Sequence, residues 1–284
     1  MKSKTVLITG CSTGIGQDLA RRLALANHTV IATARHAESL AELPVALRLP
    51  LDVTDSTAVA NATAEVVARF GRIDVLVNNA GYATRGAIEE ITDEQLHELF
   101  NVNVFGAVRM MRAVAPQMRL QASGRIINIS SISGRLVVPS NGAYSATKFA
   151  LEALSDATRL ELAPFGVQVV LIEPGSIRTN FMATSQSHAN EILSNPGSPY
   201  RALYHQYIRY IRVEASMRRQ ERGPEVVSAA VQRAIEATEP KARYLVAFPF
   251  SGGLVLHLAH PVWDLVVKRM YKPGSATPVK KEAV

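Results

Sequence analysis

Short, unbroken apolar runs recur along the chain, and longer stretches with a helical period lie between them. An apolar run of about four to eight residues is typical of a strand that is buried on both faces of a parallel sheet. The runs in this chain are residues 5–9, 29–33, 73–77, 125–130 and 167–172. Helical stretches alternate with them at about residues 15–26, 55–70, 92–118 and 143–164.

The alternation of strand and helix predicts the fold class. Two further strands near residues 46–49 and 244–247 bring the count to about seven. We expect an α/β protein with a single-domain Rossmann fold, a doubly wound parallel sheet with helices on both faces. The domain is expected to span residues 1–275, with a disordered tail at 276–284. In such sheets, ligands bind beyond the carboxyl ends of the strands, where the strand order reverses.

A glycine-rich string lies between the first predicted strand and the first predicted helix. It reads Thr-Gly-Cys-Ser-Thr-Gly-Ile-Gly over residues 9–16. Gly10 permits a tight turn, Gly14 lets backbone approach a pyrophosphate, and Gly16 lets the helix pack close to the strand. The N-terminus of the helix then faces the phosphates. Alone, the spacing could mark an ordinary loop, but its place between strand and helix favours a phosphate cradle.

A serine, a tyrosine and a lysine in the middle of the chain have the chemistry of a proton-transfer site. Tyr144 and Lys148 are four residues apart, on one face of a helix, and Ser131 follows a predicted strand. The tyrosine could protonate a carbonyl that is being reduced, or deprotonate an alcohol that is being oxidised. Its ordinary pKa is about 10, and a nearby ammonium favours its phenolate. The alternative, if each motif is taken alone, is that Tyr144 and Lys148 form a pair on the surface of a helix and that Ser131 belongs to a turn.

The order of these motifs resembles that of the short-chain dehydrogenase/reductase family over nearly the whole chain. Three further strings match it: Asn-Asn-Ala-Gly at 78–81, Asn-Val-Asn-Val-Phe-Gly at 101–106, and Pro-Gly-x-x-x-Thr at 174–179. The resemblance implies an oxidoreductase that interconverts an alcohol and its ketone or aldehyde with NAD or NADP. Within the family, the glycine string, the Ala-Thr-Ala-Arg after the second strand and the long tail are similar to those of the steroid and retinol dehydrogenases.

The resemblance also implies a role for each matching residue. The catalytic residues would be Asn103, Ser131, Tyr144 and Lys148, with Ser131 and Tyr144 contacting the substrate oxygen. Lys148 would also hold the nicotinamide ribose, and Asn103 a water of the proton relay. Asn78 would bridge the backbone of neighbouring strands. The cofactor-binding residues would be Gly10, Ser12, Thr13, Gly14, Ile15, Gly16, Arg35, Asp52, Val53, Asn79, Ala80, Gly81, Tyr144, Lys148, Pro174, Gly175, Ile177 and Thr179.

The end of the second strand favours NADP(H) over NAD(H). An Asp or Glu at this place would bond the ribose 2′-hydroxyl of NAD and repel the extra phosphate of NADP. The chain has Ala34 and Arg35 there instead. A guanidinium can meet a 2′-phosphate and stack on adenine. The alternative is that Arg35 is a solvated surface residue and that the enzyme accepts both cofactors. Asp52 and Val53 match the residues that contact the adenine, whereas Asp55 is predicted to cap the next helix.

Composition narrows the function classes further. The chain has 31 Lys and Arg against 24 Asp and Glu, a net charge of +7, which suits an anionic cofactor. No nucleic-acid-binding motif accompanies it, so no nucleic acid partner is expected. A single cysteine excludes an intrachain disulfide. His257 and His260 have no carboxylate or cysteine at ligand spacing, so we expect no metal. An apolar strand from Thr5 leaves no room for a secretory signal, which favours the cytoplasm.

The resemblance implies a substrate lid at about 180–222 that closes over the nicotinamide and sets the substrate preference, and this stretch is rich in apolar and aromatic side chains. Such a lid suits a hydrophobic alcohol or carbonyl compound, and packing within a lid helix is the alternative. The apolar tail at 244–267 is expected to pack on the cleft or a partner subunit rather than on a membrane. The resemblance implies a homodimer or homotetramer. A binding protein that senses NADP without turnover is the alternative function, since a nucleotide-sugar epimerase would need a longer chain.

Overall fold

The computed structural model describes residues 2–179, 192–217 and 222–248, and within them one parallel sheet carries helices on both faces. The strand order is β3-β2-β1-β4-β5-β6-β7, and each neighbouring pair is parallel. This confirms the predicted α/β fold and its strand count. The strands are β1 (Thr5–Ile8), β2 (Thr29–Ala34), β3 (Leu47–Pro50), β4 (Val75–Asn78), β5 (Gly124–Ile129), β6 (Val167–Pro174) and β7 (Arg243–Val246).

Helices alternate with the strands along the chain. As predicted, Asp55 caps the second of them, because its carboxylate accepts hydrogen bonds from the backbone N–H groups of Thr57 and Ala58. The helices are α1 (Gly14–Leu25), α2 (Ser56–Phe70), α3 (Asp93–Phe100), α4 (Ala107–Leu120), α5 (Gly142–Leu162), α6 (Arg201–Met217) and α7 (Glu225–Glu236). Short 3₁₀ turns lie at Ala37–Leu40, Ile88–Glu90, Ile132–Gly134 and Ala163–Phe165.

The helix predicted at 92–118 is interrupted, and the interruption lies beside the predicted site. A π-helical turn at Asn101–Gly106 joins α3 to α4. Two tertiary contacts hold this turn. The side chain of Asn103 bonds the backbone of Tyr82, and a Cβ at Gly106 would lie 2.6 Å from Cγ2 of Val53. Isolated π turns within helices are frequent at functional sites.

Alternate side chains of β1 enter two separate cores, one on each face of the sheet. Val6 and Ile8 belong to the core that α1 and α7 cover, whereas Leu7 belongs to the core that α2 and α4 cover. This follows from the two-residue period of a strand. It also explains why the strands are continuously apolar, since neither face of the sheet meets water.

The strand order reverses between β1 and β4. The chain runs outward from β1 to β2 and β3, and then returns to the other side of β1 to form β4. The carboxyl ends of β1 and β4 therefore flank a crevice, where open α/β sheets bind their ligands. The predicted motifs follow β1, β4, β5 and β6, and so lie at this edge of the sheet.

Candidate active site

The glycine string crosses the end of the sheet with little space for side chains. Gly10 has a φ of +72°, and a Cβ there would lie 2.9 Å from Cα of Ala80. A Cβ at Gly16 would clash with the carbonyl oxygen of Gly10. Gly14 also has a positive φ, +61°, and a Cβ on it would face the side chain of Thr179 at 3.4 Å. The string therefore lies against the loop after β4 and close to the end of β6.

A set of hydrogen bonds fixes the end of β1 to the end of β4. The Thr9 hydroxyl accepts from the backbone N–H groups of Asn79 and Ala80, both at 3.0 Å. In return, the Asn79 side-chain amide donates to the carbonyl oxygens of Thr9 and Gly10, each at 2.9 Å. Asn79 thus holds the glycine string in place. The sequence did not mark Thr9 as a member of the site.

The bridging role predicted for Asn78 needs correction. Its side-chain amide donates to the Asn128 side chain at 2.9 Å and to the carbonyl oxygen of Ala107 at 3.4 Å. Asn128 in turn donates to the hydroxyl of Ser155 on α5 at 2.8 Å. Asn78 therefore links β4 to the side chain of a neighbouring strand and to α4, not to strand backbone. The contact with main chain next to a neighbouring strand is made by Asn79, which bonds Thr9 and Gly10 directly after β1.

The N-terminus of α1 opens towards the crevice. Its N-cap residue, Thr13, makes no side-chain capping bond, and the first turn contains no acidic residue. The first N–H groups of a helix have no partner within the helix and carry a partial positive charge. Ser12, Thr13 and Ile15 lie at this terminus, partly or fully exposed. The arrangement can bind an anionic group such as a phosphate.

The ends of β2 and β3 bring together the residues predicted to contact the adenosine. Arg35 is exposed, and Asp52 accepts from the backbone N–H of Thr54 at 2.8 Å and from its hydroxyl at 2.7 Å. Burial opposes ionisation of Asp52, but these bonds and the charges of Arg35 and Arg109 lower its pKa below the usual value. Val53 is buried, and its carbonyl oxygen faces Arg109.

Tyr144 lies near the start of α5 and is nearly buried, with 7% of its surface exposed. The Ser131 side chain hydrogen-bonds it, and the Nζ atom of Lys148 lies 5.7 Å from the centroid of its ring. Ser131 also accepts from the N–H of Ser133 at 3.1 Å and lies 3.4 Å from the carbonyl oxygen of Pro174. The structure therefore brings the predicted tyrosine, serine and lysine together.

Asn103 meets the same group from the π-helical turn. Its side chain accepts from the N–H of Tyr82 at 3.0 Å, and donates to the carbonyl oxygen of Tyr82 at 2.8 Å and to the hydroxyl of Thr147 at 3.2 Å. A Cβ at Gly81 would lie 3.0 Å from Oδ1 of Asn103 and 3.9 Å from Nζ of Lys148. Gly81 thus separates the asparagine from the lysine, where a larger residue would crowd both.

Burial shifts the pKa values of the tyrosine and the lysine in opposite directions. Burial raises the pKa of Tyr144 above its usual value of 10.0, while the charge of Arg85 and the bond with Ser131 oppose the rise. Burial lowers the pKa of Lys148 to about 8, against the attraction of Glu152. The Lys148 ammonium donates to the carbonyl oxygen of Ile129 at 2.9 Å. The tyrosine is therefore protonated at neutral pH, and the lysine still carries most of its charge.

Arg85 is a residue of the site that no sequence motif marked. Its guanidinium carbon lies 5.4 Å from the centroid of the Tyr144 ring. The same guanidinium donates to the carbonyl oxygen of Thr84 at 3.2 Å and to the side chain of Asn141. The only signal in the sequence is a basic residue between two otherwise small or apolar stretches after β4, and its proximity to Tyr144 is purely tertiary.

The end of β6 carries the last predicted cofactor contacts. The backbone N–H of Gly175 donates to the carbonyl oxygen of Val246 at 2.8 Å. A Cβ on Gly175 would lie 2.5 Å from the carbonyl oxygen of Ala247. Ile177 packs against the core under α1. Thr179 faces Gly14 across the crevice. Pro174, the last residue of β6, lies beside Ser131.

Part of the predicted lid lies outside the described residues, namely 180–191 and 218–221. In the described part, Tyr204 is fully buried and Tyr207 is 6% exposed, so both are packing residues. The hydroxyl of Tyr204 accepts from the N–H of Ala87 at 2.9 Å and bonds the carboxylate of Glu90. The lid is thereby fixed to the loop that follows β4.

The described residues contain neither a metal-binding cluster nor a membrane-spanning helix. No group of three or more His, Cys, Asp or Glu residues there could hold a metal ion, and His257 and His260 lie outside them. Within the same residues, no helix combines the length and apolar character that a membrane crossing needs. Most of the tail at 244–267, and the whole of 276–284, also lies outside the described residues.

Sequence comparison identifies a family model and named oxidoreductases that are similar to this chain. The family model of short chain dehydrogenases matches residues 4–190. A 3-ketodihydrosphingosine reductase of Bacteroides thetaiotaomicron is 42% identical over 182 residues, which are 64% of this chain and 66% of the relative. The 17-beta-hydroxysteroid dehydrogenase type 1 of Homo sapiens is 35% identical over an alignment that covers 100% of this chain and 90% of the relative.

Solved structures agree with these relatives. A short-chain dehydrogenase from Streptomyces avermitilis superposes with a TM-score of 0.73 and 34% identity, covering 95% of this chain and 97% of that one. The closed form of a serine dehydrogenase complexed with NADP+ gives a TM-score of 0.72 and 28% identity, covering 85% and 93%. The family model matches well over half of the chain, and these two solved structures cover 95% and 85% of it. The protein belongs to the short-chain dehydrogenase family and is an oxidoreductase of that family.

Proposed function

We propose that the protein is an NADP(H)-dependent oxidoreductase that interconverts a hydrophobic secondary or primary alcohol and its ketone or aldehyde. Tyr144 acts as the acid and base, with Ser131, Lys148 and Asn103 around it. One observation carries the proposal. At the carboxyl edge of the sheet, the buried, protonated Tyr144 contacts the hydroxyl of Ser131, and the Lys148 ammonium lies 5.7 Å from the centroid of its ring. Hydride transfer to a carbonyl carbon needs such a proton donor at the oxygen.

The crevice fits a dinucleotide. The uncapped N-terminus of α1 and the glycine string, in which side chains would clash, leave backbone N–H groups for a pyrophosphate. Ser12, Thr13, Gly14 and Ile15 would hold the phosphates, and Asp52 and Val53 the adenine. When bound, the nicotinamide supplies the hydride for reduction and accepts it in oxidation. Ala80, Gly81 and the segment from Pro174 to Thr179 would flank it.

The preference for NADP rests on Arg35. This guanidinium stands exposed at the end of β2, where no carboxylate is available to bond a ribose 2′-hydroxyl. A planar, permanently charged fork suits a 2′-phosphate better than a hydroxyl. The complex of the related serine dehydrogenase with NADP+ supports the same choice. NAD(H) would bind without this charge-assisted contact, and so more weakly.

Each residue of the site has a distinct task in the reaction. In reduction, Tyr144 gives its proton to the substrate oxygen, and Ser131 donates a hydrogen bond to the same oxygen as charge develops on it. In oxidation, Tyr144 takes the proton back as phenolate. Lys148 stabilises this anion and would hold the nicotinamide ribose, and Asn103 orders the turn against which Lys148 lies.

The proposed substrate is a large, mostly apolar alcohol or ketone. Two relatives are named for a ketodihydrosphingosine and for a hydroxysteroid. In this chain, Gly86 leaves room for Ile192, whose Cγ2 would lie 2.9 Å from a Cβ at that position, and Ile88 packs against Gly142. Two aliphatic side chains thus lie beside residues that are close in sequence to Arg85 and Tyr144, which supports an apolar substrate.

We also propose that the protein is a cytoplasmic homodimer or homotetramer. Five of the ten large apolar side chains that are exposed among the described residues lie on the π-helical turn, α5 and the turn after it, among them Phe105 at 52%, Leu160 at 66% and Phe165 at 46%. Large apolar residues on a surface often mark an interface between subunits. Light scattering after size-exclusion chromatography tests this, and a monomer at micromolar concentration would contradict it.

The test of the function is an absorbance assay with purified protein and NADPH or NADH. The carbonyl panel is oestrone, retinal, a 3-ketosphingoid base, a medium-chain aldehyde and acetophenone. We expect NADPH oxidation with at least one hydrophobic ketone, and a loss of about 10²- to 10⁴-fold in kcat in Tyr144→Phe. NADPH binding should persist in that variant. Full activity in Tyr144→Phe would refute the assigned acid and base, and tight NADPH binding without turnover would favour a sensor.

A further inference from the structure

Arg85 stands over the ring of Tyr144 without belonging to any motif of the family. Its guanidinium carbon is 5.4 Å from the ring centroid, slightly closer than the 5.7 Å of the Lys148 ammonium. The guanidinium is held from two sides, by the carbonyl oxygen of Thr84 and by the side chain of Asn141, the residue before α5. Its position is therefore set by the same helix that carries Tyr144.

The charge of Arg85 has no acidic partner among the described residues, since none of their ion pairs includes it. The nearest acids along the chain, Glu89 and Glu90, bond the hydroxyls of Tyr200 and Tyr204 on the lid side.

The acids on the other side of the site are engaged elsewhere. Glu152 on α5 lies beside Lys148 but pairs with Arg243 of β7, as does Glu173 of β6. On the remaining side, the hydroxyl of Ser131 faces Tyr144 from the end of β5. Within the described parts of the chain, the groups against Tyr144 include two cations, Arg85 and Lys148, and the hydroxyl of Ser131.

We infer that Arg85 is a positioning residue for proton transfer, whose guanidinium over the Tyr144 ring stabilises the phenolate form of that tyrosine. A cation over an aromatic face is attracted to it, and the attraction grows when the ring becomes an anion. The inference rests on the proposed function of Tyr144 as acid and base. Burial raises the pKa of Tyr144, and the charge of Arg85 is the largest influence that opposes this rise.

Arg85 supplies what Lys148 cannot supply at alkaline pH. Burial lowers the pKa of Lys148 to about 8, so this lysine loses its positive charge above that pH. The phenolate that alcohol oxidation requires also forms at alkaline pH. A guanidinium keeps its charge throughout this range. The Lys148 ammonium is also occupied by the carbonyl oxygen of Ile129. Arg85 is thus the permanent cation of the pair.

The test is a near-ultraviolet titration of tyrosinate in the full chain. The chain has eight tyrosines, and the difference from the matching Tyr144→Phe protein isolates one of them. Removal of a cation disfavours the phenolate, so Arg85→Met should raise the midpoint of Tyr144 by about one pH unit, while Arg85→Lys should retain part of the effect. The matched control is Arg119→Met, because Arg119 lies over the ring of Phe165 at 5.7 Å, away from the site.

Three outcomes decide the inference. An upward shift in Arg85→Met that is absent in Arg119→Met supports it, provided that Arg85→Lys restores part of the midpoint. Equal midpoints in both Met variants overturn it. A shift that Arg85→Lys fails to reduce also overturns it, because the effect would then come from a displaced loop and not from the charge.

A kinetic experiment separates this inference from the proposed function. With NADP+ and 1-phenylethanol, the alkaline rise of kcat/KM should move upward in Arg85→Met by the same unit, which is about a tenfold loss at neutral pH. The plateau at high pH should be unchanged. If Tyr144→Phe keeps its activity, the proposed function fails while the titration still decides the role of Arg85. A rise in KM for anionic ketones alone, with an unchanged titration, would instead make Arg85 a substrate contact.

Discussion

Replacement of Asn79 tests how the glycine string is held at the crevice. The side-chain amide of Asn79 donates to the carbonyl oxygens of Thr9 and Gly10, both at 2.9 Å. Asn79→Ala removes both bonds. Each hydrogen bond contributes about 1 kcal/mol net, so the free energy of unfolding should fall by about 2 kcal/mol. In a domain of this size, that corresponds to a decrease of about 4–8 °C in Tm.

Asn79→Asp distinguishes hydrogen bonding from mere packing. Asp has nearly the same shape as Asn, but its carboxylate cannot donate and would face two carbonyl oxygens. We therefore expect this variant to be less stable than Asn79→Ala at pH 7, and the gap should narrow as the carboxyl is protonated near pH 4. Asn61→Asp is the matched control, because Asn61 is exposed on α2.

Thermal unfolding and NADPH titration by fluorescence give the two readouts. The order for both should be wild type, then Asn79→Ala, then Asn79→Asp, with kcat at saturating NADPH within about threefold of wild type, since Tyr144 is untouched. An Asn79→Asp protein as stable as Asn61→Asp would refute the reasoning. Unchanged stability with weaker NADPH binding would show that Asn79 contacts the cofactor directly, as its sequence motif alone predicts.

Two further substitutions probe the cofactor preference and the buried lysine. Arg35→Glu should shift the ratio of kcat/KM for NADPH to kcat/KM for NADH by about 10- to 100-fold in favour of NADH. The reason is that a charge-assisted contact with the 2′-phosphate is lost and a charge repulsion is gained. An unchanged ratio would show that Arg35 does not meet the 2′-phosphate. Lys148→Met should abolish turnover yet stabilise the protein at pH 7 by about 3 kcal/mol, because the folded pKa of Lys148, about 8, is well below its usual 10.5 and each pH unit corresponds to about 1.4 kcal/mol. The unfolded chain binds the proton more tightly, so this gain should shrink as the pH rises from about 8 to about 10.5, which urea unfolding at several pH values would measure.

Local patterns were sufficient to predict the sheet and the order of the motifs. The central strands are mainly apolar because both faces of the sheet are covered there, and observed and predicted strand bounds differ by at most two residues. The interruption of the helix predicted at 92–118 could not be foreseen in the same way. Nothing in Asn-Val-Asn-Val-Phe-Gly breaks a helix. The π turn depends on contacts of Asn103 with Tyr82 and of Gly106 with Val53, which are distant in sequence.

The two adjacent asparagines show a second limit of the sequence. Asn78 is the last residue of β4 and Asn79 follows it, so their side chains leave the strand in opposite directions. Only the order of strands in the sheet decides which neighbour each meets. Because β1 and β5 flank β4, Asn79 reaches the glycine string and Asn78 reaches Asn128. The motif read along the chain assigns Asn78 to strand backbone and Asn79 to the cofactor, and so predicts neither of these contacts.

The environment of Tyr144 favours reduction at neutral pH and requires fixed positive charge for oxidation. Burial raises the pKa of Tyr144 and lowers that of Lys148 to about 8, so at pH 7 both groups hold their protons. A protonated tyrosine next to Ser131 can donate at once to a carbonyl oxygen. The reverse reaction needs the phenolate, at a pH where Lys148 begins to lose its charge. Arg85, whose guanidinium lies over the Tyr144 ring, is then the second cation that keeps that anion accessible.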